Sequence, residues 1–172
     1  RRGVGHCHVL TDLPTGERIL ILLLNESPWA FVALASVLGL IVGSFLNVLV
    51  WRLPKMLARE WRAQAHEVLG LPAEPLGPTY NLMRPNSCCP QCDHGIRPWE
   101  NIPLLSYLIL KGRCAHCKAR ISLRYPFTEL TCGLLSAIVA WHFGVGWQAG
   151  AVLLLTWGLL AMSLIDADHQ LL

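Results

Sequence analysis

The sequence predicts an all-α polytopic membrane protein, with about three transmembrane helices in this fragment and a small cytoplasmic zinc-ribbon-like domain. Three observations carry that prediction. The apolar residues stand in blocks near the start and at the end of the chain, whereas a soluble fold spreads its core. Nearly all the charge lies between those blocks. Two C-x2-C pairs fall inside the charged stretch. Hydrophobic residues reach 53% of the 172 and charged residues only 15%, too little charge for a soluble surface of that size. The net charge of +3 is weak evidence for a nucleic-acid partner, and no motif supports one.

Residues 1–28 read as an N-terminal extension of uncertain role. The run Ile19 to Leu24 is too short to span a bilayer, and no small-residue cleavage site follows it. The first span is 29–51: 23 residues without a charge, bounded by Trp29 and Trp51 at the interfacial positions. The second span is 127–143 and the third 147–165, joined by the tight Gly144-Val145-Gly146 turn into an antiparallel hairpin.

Between the first and second spans, residues 52–126 hold eleven of the fourteen Lys and Arg residues, which places this segment in the cytoplasm. The first helix then runs outside to inside, and the third ends at the cytoplasmic face. Within the segment, Met56 to Leu69 has the period of an amphipathic helix, with Leu57, Trp61, Ala65 and Val68 on one side and Arg59, Glu60, Arg62 and Glu67 on the other. Such a helix either lies on the membrane surface or packs within the domain. Pro72, Pro75, Gly77 and Pro78 mark a linker after it.

Cys89-Pro-Gln-Cys92 and Cys114-Ala-His-Cys117 are separated by 21 residues. Two such pairs complete a tetrahedral four-sulfur site suited to zinc, structural because no coordination position stays open. Disulfides are the competing reading, and a reducing cytoplasmic face argues against them. A redox motif needs only one such pair. Cys88 adjoins the first pair, but Cys89 fits the spacing better; Cys7 and Cys132 are spare, and Cys132 reads as a packing residue. His94 and His116 stand outside the four-sulfur set.

Residues 166–172 open with Asp166 and Asp168 directly after an apolar helix, where a carboxylate is costly to keep and tends to be functional. Two residues apart on a helix, they point about 200° from each other. They cannot form the proton-sharing pair an aspartyl protease needs, so a second carboxylate must come from elsewhere. Glu129 reads instead as the partner of a basic neighbour such as Arg124.

Several stretches together resemble one family, the prepilin peptidases. Gly43-Ser-Phe-Leu-Asn-Val-Leu-Val-Trp-Arg-Leu-Pro54 is similar to the signature closing that family's first helix. The two cysteine pairs, with Arg97 to Pro103 between them and Arg124 to Glu129 after them, resemble its cytoplasmic zinc domain. Leu164-Ile-Asp-Ala-Asp168 resembles the block of its first catalytic aspartate. The resemblance runs from about Trp29 to Leu172 and is close to the Pseudomonas-type members. It implies an aspartyl endopeptidase of the bacterial inner membrane that cuts the basic leader from type IV prepilins and pseudopilins after Gly, with Asp166 catalytic. It also implies N-methylation of the new N-terminus by S-adenosylmethionine. The second aspartate of that family belongs to a Gly-x-Gly-Asp motif not found here, which implies that this stretch alone is inactive. A non-enzymatic membrane zinc-ribbon protein that docks a partner is the main alternative, and a membrane thiol oxidoreductase is another.

Overall fold

The computed structural model describes residues 27–72 and 80–169, so the expectations on the N-terminal extension and on the residues after His169 lie outside the described residues. Four helices organise it: α1, Pro28–Val68; α2, Leu105–Ile109; α3, Arg124–Phe143; and α4, Trp147–His169, with a 3-10 turn at Pro98–Asn101. No strand is present among the described residues, only two isolated bridges. The architecture is helical, as the sequence reading held.

Helix α1 differs from expectation in one respect. The apolar run and the amphipathic stretch are one continuous helix of 41 residues that passes through Pro54. Proline at that position removes the hydrogen bond to Val50, which usually ends or kinks a helix. Continuity here follows from packing: Leu46, Val50 and Pro54 recur every fourth residue and are all buried. At 1.5 Å per residue the helix is about 60 Å long, roughly twice the thickness of a bilayer core. It closes at Gly70, whose φ of +63° lets Leu71 N–H reach back to the His66 carbonyl at 2.9 Å.

Helices α3 and α4 form the expected hairpin. Gly144 caps α3 at φ +65° with its N–H on the Ala140 carbonyl. Among the described residues α1 and α4 are long and apolar enough to cross a membrane. Helix α3 falls short of that standard because Arg124, Thr128 and Glu129 stand in its first turns and His142 in its last.

The three long helices meet in an arrangement opposite to that of a soluble bundle. Many of their closest contacts are small or polar, while many large apolar side chains point outward. Gly39, Gly43, Thr128, Cys132 and Ser136 are buried; Leu34, Val37, Ile41, Phe45, Ile138, Leu154 and Leu155 are exposed. Small residues let backbones approach, which is how helices associate in lipid. Leu46, Cys132 and Ala161 are the central contact, flanked by Val42, Leu49, Trp157 and Leu160. Ser136, fully buried, is satisfied on both sides: it donates to the Cys132 carbonyl at 2.8 Å and accepts from Trp157 Nε1 at 2.9 Å. Cys132 is likewise fully buried, consistent with its reading as a packing residue.

The glycine contacts are close enough to test. A Cβ on Gly43 would stand 2.8 Å from Glu129 Cα, a backbone atom that cannot swing aside. Gly43→Ala is therefore expected to wedge α1 from α3 and destabilise the protein by about 1–3 kcal/mol. Thermal unfolding in detergent would measure this, with Gly150→Ala, which meets no atom within 4 Å, as the neutral control.

Candidate metal centre and carboxylate site

Each cysteine pair lies in a turn closed by a backbone bridge, Cys88 with Gly95 and Arg113 with Arg120. The two turns repeat the same pattern. Cys89 N–H bonds to the His94 carbonyl and Asp93 N–H returns to Cys89; Cys114 N–H bonds to the Ala119 carbonyl and Lys118 N–H returns to Cys114. The residue after each second cysteine, Asp93 and Lys118, takes positive φ, 52° and 61°. This left-handed step curls the chain around its two sulfurs.

The two turns bring four sulfurs together. The Sγ atoms of Cys89, Cys92, Cys114 and Cys117 all lie within 4.8 Å of one another, and those of Cys89 and Cys117 are 3.7 Å apart. Tetrahedral zinc with Zn–S near 2.3 Å sets neighbouring sulfurs about 3.8 Å apart. The four sulfurs are thus positioned to hold one metal ion. Cys88 is exposed and outside the cluster. The thiols respond to their surroundings in opposite senses. Backbone N–H groups of Cys117 and His116 bring Cys114 down to about 6. For Cys92 the His94 N–H also lowers, but burial and the neighbouring sulfurs outweigh it and push the thiol up to about 12. Four thiolates this close require a cation between them. His94 and His116 stack beside the centre with ring centroids 5.3 Å apart.

Arg52 holds the segment before this centre against the end of the apolar part of α1. Its guanidinium donates to the carbonyls of Asn81 at 3.0 Å, Leu82 at 3.3 Å and Pro85 at 2.6 Å, and the residue is only 8% exposed. Tyr80 lies under it and, closer, under Arg59. Arg52→Leu leaves three carbonyls without their donor, a loss of a few kcal/mol. Amide exchange over 81–88 is expected to rise at least about tenfold in that variant. Arg52→Lys should restore it only in part, since an ammonium lacks the fork that spans several acceptors.

The carboxylates are arranged differently from one sequence expectation. Arg124 forms its ion pair with Asp168, not with Glu129. Glu129 Oε2 instead accepts the Leu104 N–H at 2.7 Å. Five residues apart on α3, Arg124 and Glu129 are about 140° out of line, whereas antiparallel α4 carries Asp168 up to the start of α3. That pairing also offsets an unfavourable placement, since a carboxylate at a helix C-terminus opposes the helix dipole. Asp166 and Asp168, expected directly after a span ending at 165, both lie on α4, which continues to His169, and two helical positions set them about 200° apart. Asn47 ties this end of α3 to α1 through the Tyr125 carbonyl, 3.2 Å away. Sequence reasoning missed Arg52 and this tie, whose partners are backbone carbonyls that leave no side-chain pattern.

The model of the bacterial peptidase A24 N-terminal domain matches residues 37–143, most of α1, the four-sulfur module and all of α3. The chain belongs to this family. Relatives named prepilin leader peptidase/N-methyltransferase are similar to it. The one from Stutzerimonas stutzeri is 66% identical over 149 residues, 87% of this chain and 52% of its own length. That from Pseudomonas aeruginosa is 67% identical over 149 residues, 87% and 51%. That from Neisseria gonorrhoeae is 51% identical over 147 residues, 85% and 51%. The chain spans about half the length of the curated relatives it matches. No solved structure matches it.

Proposed function

We propose that this chain is the N-terminal half of a prepilin leader peptidase and N-methyltransferase of the bacterial inner membrane. Three membrane passages are made by residues 29–51 of α1, 127–143 of α3 and 147–165 of α4, with 52–126 forming the cytoplasmic domain. The eleven basic residues of that domain support this orientation. The observation that carries the reading is the joint placement of the two motifs: the family's domain matches across α1 to α3, and α4 brings Asp166 and Asp168 back to the level of Arg124, at the edge of the four-sulfur module.

In this reading Asp166 is one of two catalytic carboxylates, and the family's Gly-x-Gly-Asp motif supplies the other. One carboxylate accepts a proton from water while the other donates its proton to the scissile carbonyl oxygen, and the hydroxide adds to that carbon. Cutting at the cytoplasmic boundary leaves the basic leader in the cytoplasm and the apolar substrate helix in lipid. Cys89, Cys92, Cys114 and Cys117 hold Zn2+ in a structural role. S-adenosylmethionine, when bound, supplies the methyl group for the new N-terminus. Substrates are prepilins and pseudopilins.

Deleting the full-length reading frame from its host is expected to leave prepilin at its precursor mass, and expression from a plasmid to restore the processed form. Normal processing in the deletion strain would instead favour the non-enzymatic docking protein.

A further inference from the structure

Between the two cysteine turns the chain exposes Trp99, Ile102, Leu105, Leu108 and Ile109, which the function above does not use. On α2, spacings of three and four put Leu105, Leu108 and Ile109 on one face. So many large apolar side chains on a surface bathed in water mark a contact. What they meet follows from how deep α2 lies. Leu104, at the N-terminal cap of α2, donates its N–H to Glu129 Oε2 at 2.7 Å. Glu129 is inside the 127–143 passage, and its Cα is the atom a Cβ on Gly43 would meet at 2.8 Å. Gly43 stands about 12 Å inward of Trp51, the interfacial residue of α1. Ser106 and Tyr107 also share a cavity wall with Ser44 and Asn47, and Asn47 is about 6 Å inward of Trp51. Allowing for the reach of the Glu129 side chain, α2 starts about 5–10 Å below the level of Trp51. That is the depth of a helix lying in the membrane interface.

We infer that α2 is inserted into the cytoplasmic leaflet, with Leu105, Leu108 and Ile109 among the acyl chains and Lys111, Arg113 and Lys118 on anionic headgroups. The inference rests on the membrane passages of the proposed function and refines them: the four-sulfur module is anchored in the bilayer at α2. Backbone groups at that depth need partners within the protein. Here they have them. The Ser106 N–H and hydroxyl both donate to the Ile102 carbonyl, at 3.1 and 2.8 Å. Leu108 N–H meets the Leu104 carbonyl at 3.0 Å, and Leu110 N–H the Ser106 carbonyl at 2.9 Å. The Leu104 N–H, which precedes the helix and has no carbonyl to meet there, is the one Glu129 accepts.

Charge agrees with a lipid partner. Just past α2, one groove is lined by Ile109, Leu110, Lys111, Arg113 and Lys118, three cations and no carboxylate. An apolar face followed by cations is the pattern that binds an anionic bilayer, with the chains taking the first and the phosphates the second. The same cations repel a Lys- and Arg-rich leader, which argues against substrate docking on this face. Trp99, exposed one turn before α2, is suited to the headgroup level.

The test places a fluorescent amino acid, by codon suppression, at position 105 or 108 of the full-length protein, so that every cysteine is kept. Each protein is reconstituted in phosphatidylcholine–phosphatidylglycerol vesicles, and zinc content reports that it has folded. Quenching is read from nitroxides on the lipid chains and from iodide in the water. Reference positions are Ile41, Ile138 and Leu154, exposed on the three passages, and Val68, about 25 Å beyond Trp51 along α1. At 105 and 108 lipid nitroxides should quench strongly, and iodide at least about fivefold less than at Val68. Iodide quenching at both positions equal to that at Val68 would overturn the inference, placing α2 in water. Quenching by neither agent would also overturn it, because the rest of the protein would then cover this face. In both cases lipid quenching at a reference position on the passages leaves the membrane reading intact. Lipid quenching at none of those three references would overturn the passages and the inference together.

Discussion

Asp166→Asn is expected to abolish prepilin cleavage by the full-length protein, with a fall of at least about a thousandfold, the size seen when a group touching the reacting atoms is removed. An amide can neither accept the water proton nor share one with a second carboxylate. The change is nearly isosteric and sits in the last turns of α4, so folding should be unaffected and zinc content unchanged. Asp168→Asn provides the contrast. It loses the Arg124 ion pair, in which the Asp168 side chain is 25% and the Arg124 side chain 41% exposed, and partly solvated pairs of that kind contribute modestly. Its cleavage rate should fall far less than that of Asp166→Asn, and Arg124→Gln should reproduce the smaller loss. Equal losses for the two aspartates would remove the distinction drawn between them.

Cys92→Ser is expected to empty the metal centre and unfold the cytoplasmic module. The module has little else to hold it. Leu105, Leu108 and Ile109 on α2 are 52%, 71% and 70% exposed, and the closed structure comes from two backbone turns and one cluster of sulfurs. Structural zinc contributes on the order of 10 kcal/mol in units of this size. Loss of one thiolate should therefore lower zinc from about one ion per chain to nearly none and make 80–126 sensitive to protease. The transmembrane hairpin of α3 and α4 should persist, since its contacts are independent of the metal. Cys88→Ser, outside the cluster, should retain full zinc. A Cys92→Ser protein with zinc and protease resistance intact would rule out the four-sulfur centre.

Much of this was legible in the residues because the strongest signals are local. An uncharged run between Trp29 and Trp51, two C-x2-C pairs, and a Gly-Val-Gly turn each specify their own structure within a few residues. The failures share a different character. The span ending at Trp51 and the amphipathic stretch from Met56 read as separate elements because each has its own local pattern, whereas the burial of Leu46, Val50 and Pro54 along one continuous α1 comes from the fold. Arg124 and Glu129 read as partners by nearness in sequence, although helical geometry at a spacing of five already sets them apart. Its actual partner, Asp168, lies 44 positions away and reaches it only because α3 and α4 are antiparallel. Arg52 carries no visible motif, since its acceptors are carbonyls of an irregular segment. Contacts between side chain and distant backbone are the part of a site that sequence patterns describe least well.

The central claim is that these helices and sulfurs form half of a membrane-embedded leader peptidase. Its most direct test is mass spectrometry of a purified prepilin incubated with the zinc-loaded full-length protein in liposomes. The account predicts a product shortened by its leader to the residue after Gly, and heavier by one methyl group when S-adenosylmethionine is present. Intact prepilin after incubation with folded, zinc-loaded protein would contradict it.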